Sequence, residues 1–315
     1  MSTSRLALTT ALLVISAACS TGDGGDGSIV LYTSVTQETV DVVVAGFEAA
    51  HPGTTVEVFR APTGELNARI AADRRESGMR ADVLWLTDPL SMQQFDGQGL
   101  LHAAYPDASG VPAEHRSERF WGTRVLDLVI VRNFDAPPIS SWDDLITAAA
   151  AGGVAIPDPS LAGSAFAALA FFALSDQYGI EFLRALHDAG ATQVGTPGDV
   201  VTGVAEGQYA AGITLDFTAR AAVDKGSPIE LVWPQPGAIA FYSPIAVTGD
   251  AADAVDFVSY VLGVEAQTAI ATTGWQPVRS DVPWNVGGPQ VTIPWALAVD
   301  RQDELLDAYR TIFGG

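Results

Sequence analysis

The chain has 315 residues, 48% hydrophobic and 17% charged, enough apolar material for two packed domains and too much for a disordered chain. Sixteen Lys and Arg stand against 37 Asp and Glu, for a formal net charge of −21, and Lys225 is the only lysine. A surface of that sign repels nucleic acid and offers no polybasic patch to anionic lipid, so both are excluded as partners.

The first element in chain order is a leader. Arg5 precedes an apolar run from Leu6 to Ile15, which ends in small residues, the layout of a secretory signal over 1–18. The run is too short to cross a membrane as a helix. Cys19, the one cysteine of the chain, follows at once. Alone it forms no intrachain disulfide, and cysteine-based metal sites need several thiols. The junction resembles the lipobox of bacterial lipoproteins, with Ser16 where that pattern prefers Leu. The resemblance implies that Cys19 becomes the lipidated N-terminus and that 19–28 is a flexible tether. Gly22, Gly24 and Gly27 match a G-x-G-x-x-G spacing, but a dinucleotide fingerprint follows a strand and opens a helix, and this one precedes the first strand.

From Ile29 strands and helices alternate. "SIVLYTS" reads as a buried strand, followed by a helix with apolar residues at Val40, Val43, Val44 and Phe47, the i, i+3, i+4, i+7 spacing. "HPG" stops that helix and "TTVEVFRA" is the next strand. "TGELNARIAADRR" is helical, "ADVLWLTD" a third strand and "PLSMQQFDGQG" a short helix. This order implies a parallel sheet with helices on its faces. "TRVLDLVIVRN" (123–133) is a longer strand that breaks the rhythm. A second run follows: helix "SWDDLITAAAA", strand "GGVAIPDP", the apolar helix "SAFAALAFFAL", helices near 176–189 and 198–206, and strands "YAAGITLD" and "IELVWPQ". "GAIAFYSPIAVT" (237–248) is another long strand, leading to helices at 250–262 and 264–272 and a terminal helix near 301–312.

Two α/β runs joined by long strands predict two lobes, 29–123 plus 241–315 and 124–240, with hinge crossings near 124–133 and 237–248 and a ligand cleft between them. Catalytic signatures are missing: there is no G-x-S-x-G elbow, H-E-x-x-H motif, P-loop or second cysteine. His51, His102, His115 and His187 lack metal-ligand spacing and read as surface residues. The chain is therefore expected to be a binding protein without cofactor or metal rather than an enzyme.

The chemistry that remains lies in loops that end strands and open helices: "YTSVTQ", "APTGEL", "LTDPL", "DPSLAGSA" and "LDFTA". In open α/β sheets that edge is where ligands bind, and helix N-termini there offer unpaired N–H groups to an anion. Asp88 stands in the third of these loops. Gly163 permits close approach of backbone, and Ser160 and Ser164 add hydroxyls. Each loop also has a local reading: Ser34 with Gln37 fits a capping box, and Thr63 and Ser164 suit helix caps.

The segments "IVLYTSVTQETVDVVVAGFEAAHPGTTVEVFRAPTGELNARI", "ADVLWLTDP", "IPDPSLAGSAFAALA", "GQYAAGITLDFTA" and "GAIAFYSPIAV…GWQPVRSDV" together resemble one family. It comprises the extracellular solute-binding proteins of ATP-binding-cassette importers, of ferric-ion, phosphonate, sugar-phosphate and thiamine type. The resemblance runs from about 29 to about 282. It implies an α/β fold of two lobes that close on a solute, permease and ATPase subunits as partners, and a place outside the cytoplasm, anchored to the cell membrane. Ferric-binding members carry two adjacent tyrosines where this chain has Asp216 and Phe217. Phospho-ligand members imply an anion site at Ser34, Thr63, Gly64, Ser164 and Ala165, with Asp216 accepting from the other end of the solute and Phe217 or Tyr242 covering an apolar part. A phosphonate or phosphorylated organic compound is the expected solute. Ferric iron held without a tyrosine pair is the alternative, and a sensory solute-binding subunit is a third reading.

Overall fold

The computed structural model describes residues 27–314 apart from 77, 250 and 286, so the expected signal, most of the tether and Cys19 lie outside the described residues. The first half runs β1 (Ser28–Thr33), α1 (Gln37–Ala50), β2 (Thr55–Arg60), α2 (Thr63–Glu76), β3 (Val83–Trp85) and α3 (Pro89–Gly97). Every residue of β3 is buried, and α1 buries Val40, Val43 and Phe47 on one stripe, as its spacing predicts. β1 pairs in parallel with β2 and with β3. The turn after α1 needs Gly53, whose φ of 104° suits a residue without Cβ.

β4 (Phe120–Asn133) then leaves this half. The second half follows as α4 (Asp144–Gly152), β5 (Val154–Pro157), α5 (Gly163–Leu174), α6 (Gly179–Asp188), β6 (Ala191–Val194), α7 (Pro197–Ala205), β7 (Ala211–Leu215), α8 (Asp216–Asp224) and β8 (Ile229–Val232). β5 pairs in parallel with β6 and β7. Helix α5 is apolar all round, and Ser164 to Phe172 are all buried, as a helix of that composition requires. The chain returns through β9 (Ala238–Val247) to α9 (Ala252–Leu262), α10 (Val264–Thr272), β10 (Gln276–Pro277), β11 (Gln290–Thr292), α11 (Trp295–Asp300) and α12 (Gln302–Phe313).

The strands form one continuous sheet in the order β2-β1-β3-β9-β4-β7-β5-β6. Its centre is an antiparallel ribbon. β9 pairs with β3 from Val247 to Ile245, and β4 pairs with β9 from Phe120 to Leu128. From Leu128 to Arg132, β4 pairs with β7. Residues 123–127 of β4 and their partners on β9 therefore span the gap between the C-terminal ends of β3 and β7, where the sequence predicts the hinge. A single large core runs from α1 through Trp85, Leu126 and Leu128 to α5 and α6.

Several details depart from expectation. The capping box does not form: Thr36 is the N-cap of α1 and makes no side-chain cap bond, while the Ser34 hydroxyl turns to Thr87. Ala162, not Ser164, caps α5. Three histidines expected at the surface, His51, His102 and His115, are half-buried: His51 stacks on Phe47 at 4.2 Å, and the His115 ring lies 5.3 Å from Tyr242. β6, β10, β11 and α11 are additional elements. The terminal helix α12 packs on α5 and α6, a tie from the end of the chain to the second half.

Candidate functional site

The five helix-opening loops meet in one chain of contacts. After β1, the Ser34 hydroxyl lies 2.9 Å from Thr87 Oγ1 and accepts the Thr87 amide at 3.0 Å, joining the first loop to the third. The Ala61 amide donates to the Thr33 carbonyl at 3.1 Å, joining the second to the first. Asp88, the N-cap of α3, reaches the fourth: a Cβ built on Gly163 would lie 2.5 Å from Asp88 Oδ2. The fifth meets the return segment, since Phe217 stacks on Trp275 with ring centres 4.2 Å apart and planes at 16°. Trp275 Nε1 in turn donates to Thr36 Oγ1 at 3.3 Å, closing the circuit to the first loop.

The ribbon supplies the floor of this junction. Arg124 is 1% exposed, and its guanidinium carbon sits 4.1 Å from the centre of the Trp275 ring. Phe217 stacks on the same indole at nearly the same distance. Nε and Nη1 of Arg124 have no protein acceptor. Burial pulls this guanidinium down to about 9, which still leaves it charged at neutral pH. Arg124 is opposite Ser243 on β9, whose hydroxyl donates to the Leu86 carbonyl just before the third loop.

Because side chains alternate along a strand, Val125 and Asp127 point to the other face of the ribbon. Val125 and Ala240 there line a cavity of about 600 Å³ with Gln276, Trp284 and Gln290. Asp127 is 1% exposed and accepts from Gln290 Nε2 at 2.8 Å. Burial, and then the neighbouring Asp216 carboxylate, pushes Asp127 up to about 7. Asp216 itself is buried and raised by burial. It accepts Arg220 Nη2 at 2.8 Å and Nε at 3.1 Å, and Arg220 Nη2 also donates to the Gly274 carbonyl at 2.7 Å.

The sequence-predicted residues fall into four groups. Ser34, Asp88, Gly163, Ser164, Ala165, Asp216 and Phe217 belong to loops that meet at the junction. Thr63 and Gly64 open α2, half-buried and exposed respectively. Ser160 is exposed and turned to Asp158, its amide and hydroxyl each 2.7 Å from Oδ1. Tyr242 sits opposite Val125, on the ribbon face away from Arg124, and burial raises its phenol to about 12. The strand reading passed over Arg124 and Asp127, although two charges inside the apolar run "TRVLDLVIVRN" were a visible signal. Trp275 and Arg220 were passed over as well.

Two α/β halves joined by paired crossing strands, with helix-opening loops of both halves meeting at the crossing, define a two-lobed solute-binding fold. The chain belongs to the bacterial extracellular solute-binding protein family, whose profile matches residues 29–276. Solved structures agree on the fold. Apo ferric ion-binding protein A of Pasteurella haemolytica is 19% identical with a TM-score of 0.77, over 91% of this chain and 99% of that one. The periplasmic binding protein AfuA of Actinobacillus pleuropneumoniae, solved with fructose-6-phosphate, is 19% identical at 0.76, over 92% and 99%. Iron-bound HitA of Pseudomonas aeruginosa is 20% identical at 0.75, over 90% and 99%. No curated protein sequence matches the chain significantly. Among the described residues no helix is long and apolar enough to cross a membrane.

Proposed function

We propose that this chain is the capture subunit of an ATP-binding-cassette importer, held at the outer face of the cell membrane by a lipid on Cys19. Its lobes, 29–123 plus 241–315 and 124–240, close on a small polar solute with an anionic group, best a phosphonate or phosphorylated organic compound, and pass it to permease and ATPase subunits. The role is binding rather than catalysis.

The observation that carries the anionic reading is Arg124: a buried guanidinium with two donor nitrogens lacking acceptors, set on the crossing ribbon beside loops from both halves. A buried charge without a partner is costly, and a bound oxyanion supplies both the counter-charge and the acceptors. A helix N-terminus offers amides to an anion, and α1 and α5 both start at these loops. AfuA, which shares the fold, was solved with a phosphorylated sugar.

Ferric iron is the second reading. It is favoured by Asp127 and Asp216, neighbouring carboxylates at the junction, and by the iron-binding proteins among the similar structures. Against it, Arg220 already holds Asp216 and sets a positive charge where the metal would sit.

Calorimetry on ligand-stripped protein decides between them. A phosphonate or sugar phosphate is expected to bind, and Arg124→Gln to weaken it at least tenfold, since a hydrogen bond to a charged group contributes about 1.5–3 kcal/mol. Tight binding of ferric citrate, with no response to any phospho compound, would overturn the anionic reading and leave solute capture standing.

A further inference from the structure

The cavity of about 600 Å³ on the far face of the ribbon from Arg124 stands apart from the junction: none of Ser34, Thr87, Asp88, Ser164 or Asp216 lines it. Val125 and Ala240 of the crossing strands line it on one side. The return segment lines it on the other, through Gln276 on β10, Trp284, and Gln290 on β11. A second cavity of about 310 Å³ adjoins it and shares Gln276, Trp284, Asn285 and Gln290. Both volumes suit a small molecule, whose sites usually measure ~300–1,000 Å³.

A buried acid sets the direction of the amides in this wall. Gln290 Nε2 donates one hydrogen to Asp127 Oδ1 at 2.8 Å and the other to Gln276 Oε1 at 3.2 Å. That leaves Gln290 Oε1 as an acceptor and Gln276 Nε2 as a donor, on adjacent amides, and no described residue bonds either atom. A donor beside an acceptor matches a hydroxyl group, which both gives and takes a hydrogen bond. The charges in the walls, by contrast, are already served. Arg279 donates to Asp281 at 2.8 and 2.7 Å and to the Leu262 carbonyl at 3.2 Å. Burial holds the His115 imidazole below its ordinary range, so it is uncharged at neutral pH. Glu114 is exposed, and water meets its charge. An ionic ligand would find no free counter-charge here, and a purely apolar one would strand the amides.

We infer that this cavity is a second ligand site, taking a neutral polyhydroxylated molecule, a saccharide or polyol, with hydroxyls on Gln276 and Gln290 and a C–H face on Trp284.

Trp284 supplies the apolar part of such a site. Its indole is half-buried, and the Arg220 guanidinium carbon of α8 lies 5.6 Å from the ring centre, which steadies it. The place of the site also gives it a bearing on the hinge. Val125 follows Arg124 directly, so side chains on opposite faces of one stretch of β4 serve the cavity and the junction. A ligand here rests on the crossing strands without entering the junction.

The test is calorimetry on purified, ligand-stripped protein with glucose, maltose and mannitol. Wild type is expected to bind at least one of the three. Trp284→Ala is expected to weaken that binding about tenfold or more, and Gln276→Leu about threefold or more, through the lost stacking face and the lost hydrogen bond. Arg124→Gln changes only the other face of the ribbon and is expected to leave it unchanged. In that variant, which lacks the junction cation, glucose-6-phosphate is expected to bind no tighter than glucose. If none of the three binds, or if both cavity variants bind as well as wild type, the second site is overturned. Loss of binding in Arg124→Gln would move the sugar to the junction and overturn it too. Tighter binding of glucose-6-phosphate than of glucose in Arg124→Gln would overturn the neutral class.

Discussion

Replacing Asp127 with Asn probes the electrostatics of the crossing ribbon without changing its shape. The carboxylate is buried, accepts from Gln290 on β11, and faces Asp216 and Arg220 on α8. Its carboxyl is pushed up to about 7, against 3.8 for an unperturbed one. Below pH 3.8 the group is protonated folded and unfolded, and it has no effect on stability. As pH rises, the unfolded carboxyl ionises first while the folded one keeps its proton, so stability falls until the folded group ionises near 7, and then levels off. At about 1.4 kcal/mol per unit, the penalty comes to about 4 kcal/mol at pH 8 and about 1.5 kcal/mol at pH 5. Asn accepts from Gln290 without ionising, so Asp127→Asn is expected to stabilise the protein, by about 2–3 kcal/mol more at pH 8 than at pH 5. Urea unfolding of both proteins at the two pH values measures this directly. A gain independent of pH, or a loss at pH 8, would show that the ribbon tolerates this charge and that the burial argument is wrong.

Gly163→Ala places a Cβ 2.5 Å from Asp88 Oδ2, well inside contact distance, so the halves are expected to be held apart. Small-angle scattering with saturating solute should then show a larger radius of gyration than wild type, along with weaker binding; equal compaction would remove this contact from the closure. Cys19→Ala is expected to shift the protein from the membrane fraction to the soluble fraction of a bacterial host. Retention of the variant with the membranes would rule out the thiol as the anchor.

The alternation of halves was legible in the chain because β3 and β5 are buried throughout and α1 repeats its valines at helical spacing. β10 and β11 were not, because two- and three-residue strands are held by their partners on β4 and β9 rather than by any pattern of their own. The loops that meet were also readable, from their position at strand ends. What each side chain does there was not. Ser34 suited a capping box locally, yet Thr87 from a loop remote in sequence captured its hydroxyl. The Asp216–Arg220 pair has i, i+4 spacing and was visible in principle. Trp275 carried no local signal, since its importance arises from its contacts with Phe217 and Arg124, which lie far from it along the chain.

The pairing of β9 between β3 and β4 has a consequence for how the molecule is made. A chain that emerges N-terminus first presents β3 and β4 long before the strand that joins them exists. Until Val247 has emerged, the Val-Leu-Trp edge of β3 and the first part of β4 stay open, and open apolar edges invite pairing with other chains. The second half is made during that wait and can pair its own strands, because the far part of β4 that β7 and β8 bind has already emerged. The last strand to arrive, β9, then joins β3 to the near part of β4, so a truncation before β9 leaves the first sheet with nothing to seal it.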